Sequence, residues 1–154
     1  MKVVLGSDHA GFRYRALFDA ALREAGHDVD ILGAKSEDEP YDYTEVSEAV
    51  ARAVAEGRAE RGIIVAGSGN GEAIVANKIH GVRASVCNDQ YTAEMARRHN
   101  DANVLCVGQR VCGEAVALKV LELWMSTPFD GGRHATRIAN ITSLEERLRK
   151  EYGG

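Results

Sequence analysis

The chain is poor in proline, cysteine and aromatic residues: two prolines, three cysteines and 6% aromatics among 154 residues. With so little proline and sixteen glycines, proline-rich spacers are excluded and short glycine turns are left to punctuate the chain. The cysteines Cys87, Cys106 and Cys112 are odd in number and form no Cys-x-x-Cys pair. A disulfide framework is therefore not expected, and they read as reduced thiols, two of them in apolar strand-like runs. No apolar stretch approaches the roughly 20 residues of a membrane span. The N-terminal apolar run stops at Leu5, short of the roughly 7–15 residues in the core of a secretory signal. Positive charge is not in excess either, with 19 Lys and Arg against 23 Asp and Glu, a net charge of -4 and a pI near 5.7. That balance argues against a nucleic-acid or membrane-surface binder, which needs a basic face. A mildly acidic, cytoplasmic protein is expected.

What is present is an ordinary globular balance, 45% hydrophobic and 27% charged, in a length suited to one domain over residues 1–154. Short apolar runs alternate with longer amphipathic ones. Lys2–Leu5 reads as a strand, and Ala10, Tyr14, Leu17, Ala21 and Ala25 then mark one helical face. Asp28–Leu32 reads as a second strand, followed by an acidic loop to Tyr43. A helix comes next, with Thr44 as its N-cap and Val46, Val50 and Val54 inside. Gly62–Ala66 is continuously apolar, as in a strand covered on both faces. The spacing predicts further strands at Arg83–Val86 and Val104–Val107. Helices are predicted over Glu72–Ile79, Gln90–His99, Gly113–Ser126 and, last, about Arg137–Tyr152. The apolar residues of Val116–Met125 cover more than one stripe, so that helix is expected to be buried on two sides, under the last helix or against a twofold partner. Five strands alternating with helices imply an α/β fold, a parallel sheet with helices on both faces and right-handed crossovers. Ligands of such sheets lie beyond the C-terminal strand ends. The candidate loops are then Gly6–Gly11, Gly67–Gly71, Cys87–Asp89 and Gly108–Gly113.

Gly6-Ser-Asp-His-Ala-Gly11 has the glycine spacing of a P-loop but continues Phe12-Arg13, without the lysine and hydroxyl that handle phosphate and magnesium. Gly67-Ser-Gly-Asn-Gly71 resembles a dinucleotide fingerprint with its third glycine one residue early. What it does offer is a row of backbone N–H groups able to hold an anion or a developing oxyanion. Glu72 follows at once. It is either an ordinary first-turn glutamate or a general base over that cradle, where enediolate stabilisation would make a carbon acid accessible to a carboxylate. Asp8 and His9 share the rim as either a cap with a surface histidine or a functional pair. His99-Asn100 closes a helix, and Arg110 follows the fifth strand. Arg133, His134 and Arg137 form a basic cluster whose bidentate donors suit a phosphate. His27 and His80 read as surface residues, and no His or Cys spacing fits a zinc site.

Gly6-Ser-Asp-His-Ala-Gly11, Gly67-Ser-Gly-Asn-Gly-Glu72 with Ala76-Asn77-Lys78, and His99-Asn100-Asp-Ala-Asn103 with Gly108-x-Arg110 occur together in this order. The combination resembles the type B ribose-5-phosphate isomerase family, which includes the galactose-6-phosphate isomerase subunits. The resemblance runs from Lys2 to about Arg137. It implies a Rossmann-type three-layer sandwich and homodimers, some paired into tetramers, whose sites are built from both subunits. It also implies a sugar-phosphate substrate and neither metal nor organic cofactor. On that resemblance Asp8 and His99 open the furanose ring, and Glu72 moves the proton between C2 and C1 through a cis-enediolate. Gly67, Gly69, Asn70 and Gly71 line the oxyanion loop, with Ser68 assisting proton movement. His9, Arg110, Arg133 and Arg137 hold the phosphate with His134 nearby, and Tyr43 and Asn100 complete the wall. His99, Asn100 and Arg110 are expected from the opposite subunit. Many members carry a cysteine base where this chain has Ala66, so it resembles the subgroup with a glutamate after the loop. Thr44 replaces a usual proline. Ribose 5-phosphate is the expected substrate. A hexose 6-phosphate such as allose or galactose, or a tetrose 4-phosphate, would need the same chemistry. A non-catalytic phosphosugar-binding module would not need Asp8, Glu72 and His99 together.

Overall fold

The apolar run of Gly62–Ala66 becomes the centre of the sheet. In the computed structural model, which describes residues 1–153, the elements follow the expected alternation. They are β1 (Lys2–Ser7), a 3-10 turn (His9–Gly11), α1 (Phe12–Glu24), β2 (Asp28–Gly33), α2 (Tyr43–Ala55) and β3 (Arg61–Ala66), then α3 (Asn70–Ala76), β4 (Ala84–Val86), α4 (Gln90–Arg98), β5 (Val104–Gly108), α5 (Glu114–Ser126) and α6 (Arg133–Tyr152). All strand pairs are parallel, in the order β2-β1-β3-β5-β4. Because strand side chains alternate, Ile63 and Val65 face a core with Phe18, Ala93 and Trp124 from α1, α4 and α5. Ile64 faces the other core, with Val46, Val50 and Ala76 from α2 and α3. Ile64 is fully buried among apolar neighbours, so truncating it to alanine would cost about 2–5 kcal/mol.

Several details depart from the sequence reading. The N-cap of α2 is Asp42, whose carboxylate accepts the Thr44 N–H and hydroxyl, each at 2.8 Å. A carboxylate reaches both donors, so Thr44 becomes the capped residue. The inner face of α1 is Tyr14, Phe18 and Leu22, with Leu17 and Ala21 at its margin, because the helix starts only after the 3-10 turn. α3 begins two residues early, at Asn70, and α6 four residues early, at Arg133. α5 lies between α1 and α4 and buries one face, Ala117, Val120, Leu121 and Trp124. It is not covered by α6. Among the described residues, no side chain of α6 is buried. Cys87 and Cys106 sit in opposite cores with the sheet between them, and burial raises both thiols, Cys87 to about 12. Among the described residues, no helix is long and apolar enough to cross a membrane.

Candidate active site

After β1 the chain turns to one face of the sheet, and after the neighbouring β3 it turns to the other. Such a reversal opens a crevice at the C-terminal strand ends. Asp8 enters it from β1 and Gly67–Glu72 from β3, since Ser7 and Val65 are paired in register. The Asp8 carboxylate is buried and accepts the Gly11 N–H at 2.9 Å. Burial raises its pKa, while the Gly11 N–H, the His9 side chain and the Arg110 guanidinium pull it back. Asp8 is thus a cap and, at the same time, a desolvated acid.

Glu72 is 4% exposed, and its Oε2 has no hydrogen-bond partner among the described residues. Burial pushes its carboxyl above the ordinary glutamate value; the N–H groups of Glu72 and Gly69 pull it back, and the Asp8 charge pushes it further up. A buried acceptor left open carries a desolvation penalty, and a carboxyl so perturbed in a crevice is a candidate functional group. The loop before it is shaped by two glycines. Gly69 has φ of 86°, open to glycine at little cost. A Cβ on Gly71 would lie 2.7 Å from the Tyr43 ring, so only glycine lets Tyr43 close over the loop. Within the loop, the Ser68 hydroxyl accepts the Asn70 N–H at 3.3 Å. The other first-turn N–H groups have no acceptor inside the helix.

Arg110, on the loop after β5, packs against this loop. Its N–H donates to the Gly67 carbonyl at 3.1 Å, and its guanidinium comes within 3.6 Å of a Cβ built on Gly67. This corrects its expected grouping with His99: within one chain Arg110 stands with Asp8 and Gly67. His9 Nδ1 lies 3.2 Å from the Tyr41 N–H and 3.4 Å from the Tyr41 carbonyl, which ties the ring to the loop before α2. Two residues of this half were not singled out in the sequence. Asn88 accepts the Gly108 N–H at 2.7 Å and donates to the Ser68 carbonyl at 3.3 Å, joining two loops. Gln109 accepts the Tyr14 N–H at 2.9 Å and donates its own to Ala66 at 2.8 Å. Asn88 follows β4 inside a loop already marked as a candidate, so its position, though not its role, was legible.

The remaining residues assemble elsewhere. His99, Asn100, Arg133, His134 and Arg137 line an open cavity of about 420 Å³ beside Ile138 and Ile141. α4 starts at the rim and runs antiparallel to the strands. Its nine residues carry His99 about 14 Å away, to the edge where β5 begins. One chain thus places two groups of candidate residues at opposite ends of its strands. Donor atoms of His99, Asp130 and His134 lie within 4.8 Å of one another, close enough to raise the question of a metal. The surroundings answer it: Arg98 Nε holds both Asp130 oxygens at 3.2 and 3.1 Å, and the two imidazoles are stacked nearly parallel, so their lone pairs do not converge. With Arg133 and Arg137 alongside, the donor set fits an anion, not a dication.

A profile of the ribose/galactose isomerase family matches residues 3–141. The chain belongs to that family. It is 41% identical over 146 residues to ribose-5-phosphate isomerase B of Escherichia coli, covering 95% of this chain and 97% of that protein. A solved ribose-5-phosphate isomerase B from Clostridium thermocellum superposes with a TM-score of 0.93 at 41% identity, covering 96% and 99% of the two chains. D-erythrulose-4-phosphate isomerase of Pectobacterium atrosepticum is 32% identical over 147 residues, 96% of this chain and 97% of that one. The ribose/galactose isomerase family therefore spans more than one sugar length among the relatives of this chain.

Proposed function

We propose that the protein interconverts ribose 5-phosphate and ribulose 5-phosphate, with Glu72 as the base. The observation that carries this reading is the buried Glu72 carboxyl, its Oε2 without a hydrogen-bond partner among the described residues, beside Asp8 at the end of the Gly67–Gly71 loop. Ring opening comes first, with one of Asp8 and His99 taking the anomeric hydroxyl proton and the other protonating the ring oxygen. Glu72 then removes the proton from C2. The C2–H electron pair becomes the C1–C2 double bond, and the carbonyl pair moves onto O1. The N–H groups of Gly69 and Gly71, with Asn70 and Gly67 shaping the loop, stabilise that cis-enediolate. A proton passes from O2 to O1 with help from Ser68, and Glu72 returns its proton to C1. His9, Arg110, Arg133 and Arg137 hold the phosphate, with His134 nearby, while Tyr43 and Asn100 wall in the sugar.

Because the two groups, read as half-sites, lie at opposite ends of the strands of one chain, a complete site requires His99, Asn100, Arg133 and Arg137 from a second copy. An exposed stripe on α6, with Ile141 41%, Leu144 44% and Leu148 42% exposed, supports the same conclusion, since such a stripe is ordinarily covered by a partner. The similarity to the erythrulose-phosphate enzyme favours a second reading in which the substrate is a tetrose 4-phosphate. A proton NMR time course in deuterated water, with ribose 5-phosphate, erythrose 4-phosphate, allose 6-phosphate and galactose 6-phosphate in parallel, tests both. Ribulose 5-phosphate forming fastest, with deuterium at the transferred carbon, supports the first reading. Faster turnover of the tetrose selects the second, and no turnover of any sugar by a folded, phosphate-binding protein overturns both.

A further inference from the structure

The turn that carries His99 and Asn100 lies between the end of α4 at Arg98 and the start of β5 at Val104, and its shape is imposed from outside. Asp101 has φ of 43°, the one positive value at a non-glycine among the described residues. An L residue avoids that conformation unless its surroundings hold it there. Arg83, half-buried just ahead of β4, does the holding. Its Nε donates to the carbonyls of Asn100 at 3.0 Å and Asp101 at 3.2 Å. Its Nη2 donates to the Asp101 carbonyl at 2.8 Å and to the Asp101 carboxylate at 3.3 Å. The other carboxylate oxygen takes Arg97 Nη1 at 2.9 Å. The far end of the turn is fixed to the same segment, since the Arg83 N–H donates to Asn103 Oδ1 at 2.7 Å and Asn103 Nδ2 to the Gly81 carbonyl at 2.9 Å.

We infer that Arg83, acting on the strained Asp101, is a positioning residue that sets how His99 and Asn100 are presented to the partner's half-site. The guanidinium binds backbone carbonyls and the Asp101 carboxylate, so the His99 and Asn100 side chains stay uncommitted to it. A planar fork can satisfy neighbouring acceptors at fixed angles, which a lysine ammonium on a flexible stem does not reproduce. A displacement of about 1 Å at a reacting group can cost as much as about 100-fold in rate. The inference rests on the reading above, in which His99 serves ring opening.

That step separates a positioning role from general damage to the fold. Ribose 5-phosphate is cyclic and must be opened, whereas ribulose 5-phosphate, with its O5 phosphorylated, is open-chain. Two rates of the full-length protein are therefore measured in deuterated water at saturating substrate: isomerisation of ribose 5-phosphate, and deuterium wash-in at C1 of ribulose 5-phosphate. Arg83→Lys is expected to lower the first about tenfold and to leave the second within about twofold. Asp101→Gly, which tolerates the backbone conformation but removes the carboxylate, is expected to lower the first about threefold with the second unchanged. Equal loss in both rates, or no loss in either, overturns the inference. His99→Ala is the reference. If it fails to separate the two rates, the role given to His99 is wrong, and that result is distinct from an effect absent only in the Arg83 and Asp101 variants.

Discussion

The imidazole rings of His99 and His134 lie 4.2 Å apart and 7° from parallel, where the end of α4 meets the first turn of α6. Two stacked imidazolium ions would repel strongly, and Arg133 and Arg137 stand on the same turn. Partial burial, His99, Arg133 and Arg137 in that order hold the His134 pKa below its ordinary value, with Asp130 opposing them. The cluster therefore offers fixed guanidinium charge and a neutral ring, a combination suited to a phosphate dianion.

His134 should accordingly titrate below 6.5 in the free protein. The sign follows from charge: removing a cation favours the imidazolium, so Arg137→Ala should raise the value. A bound phosphate ester should raise it too. A nitrogen–proton NMR titration of the histidine side chains checks all three, and an apo value above 6.5 would contradict the electrostatics described.

Glu72→Gln should lower turnover by at least about 1,000-fold, within the range for a general base, while affinity for a phosphate-bearing inhibitor stays within about threefold. In the wild type, kcat/KM should fall on the acid side with a limb above 4.5, because the carboxyl is raised and must be ionised to act. Stability follows from the same shift. Below the unfolded value both states are protonated and burial exacts no charge penalty. As pH rises through the raised folded value, the buried carboxylate weakens the fold. Glu72→Gln should therefore raise the Tm at pH 8. That gain should vanish near pH 4. A Tm lowered at both pH values would mean that the carboxylate is satisfied by a contact the substitution breaks.

Asn88→Ala should lower kcat about tenfold with a smaller change in KM, since it cuts the link between the Ser68 carbonyl and the Gly108 N–H without touching the phosphate residues. Asn88→Asp keeps the acceptor for Gly108 but loses the donor to Ser68 and should fall between. Steady-state kinetics normalised to the folded fraction, read from the thermal unfolding of each variant, distinguish this from a folding defect, which would lower the apparent kcat only in proportion to the folded protein lost.

Asn88 also marks where sequence reading stops. The strand at Gly62–Ala66 was legible because a strand buried on both faces must be apolar throughout, and the Gly67–Gly71 loop because its glycines are consecutive in sequence. Asn88 and Gln109 act across 20 and 95 residues, and no local spacing announces such a bond. Asp42 and Thr44 are both good caps, and only geometry assigns the role. Arg110 follows a strand at the rim, so its place with Asp8 follows from topology, yet the family pattern had grouped it with His99. The separation of Glu72 from His99 was implicit in the alternation of strand and helix, since a helix returning from the rim must end at the opposite edge.

That separation gives the sharpest prediction. His99→Ala and Glu72→Gln proteins should each be nearly inactive. Mixed in equal amounts and allowed to exchange subunits, they should recover about a quarter of wild-type activity. Random pairing places half the dimers in mixed form, and each mixed dimer holds one intact site of two. In that dimer one crevice combines the wild-type Glu72 of one chain with the wild-type His99 of the other, while the second crevice carries both substitutions. If both residues acted within a single chain, every chain in the mixture would still lack one of them and no activity would return. Recovery measured against the time course of subunit exchange, followed by native mass spectrometry of a tagged chain, ties the activity to the mixed dimer itself.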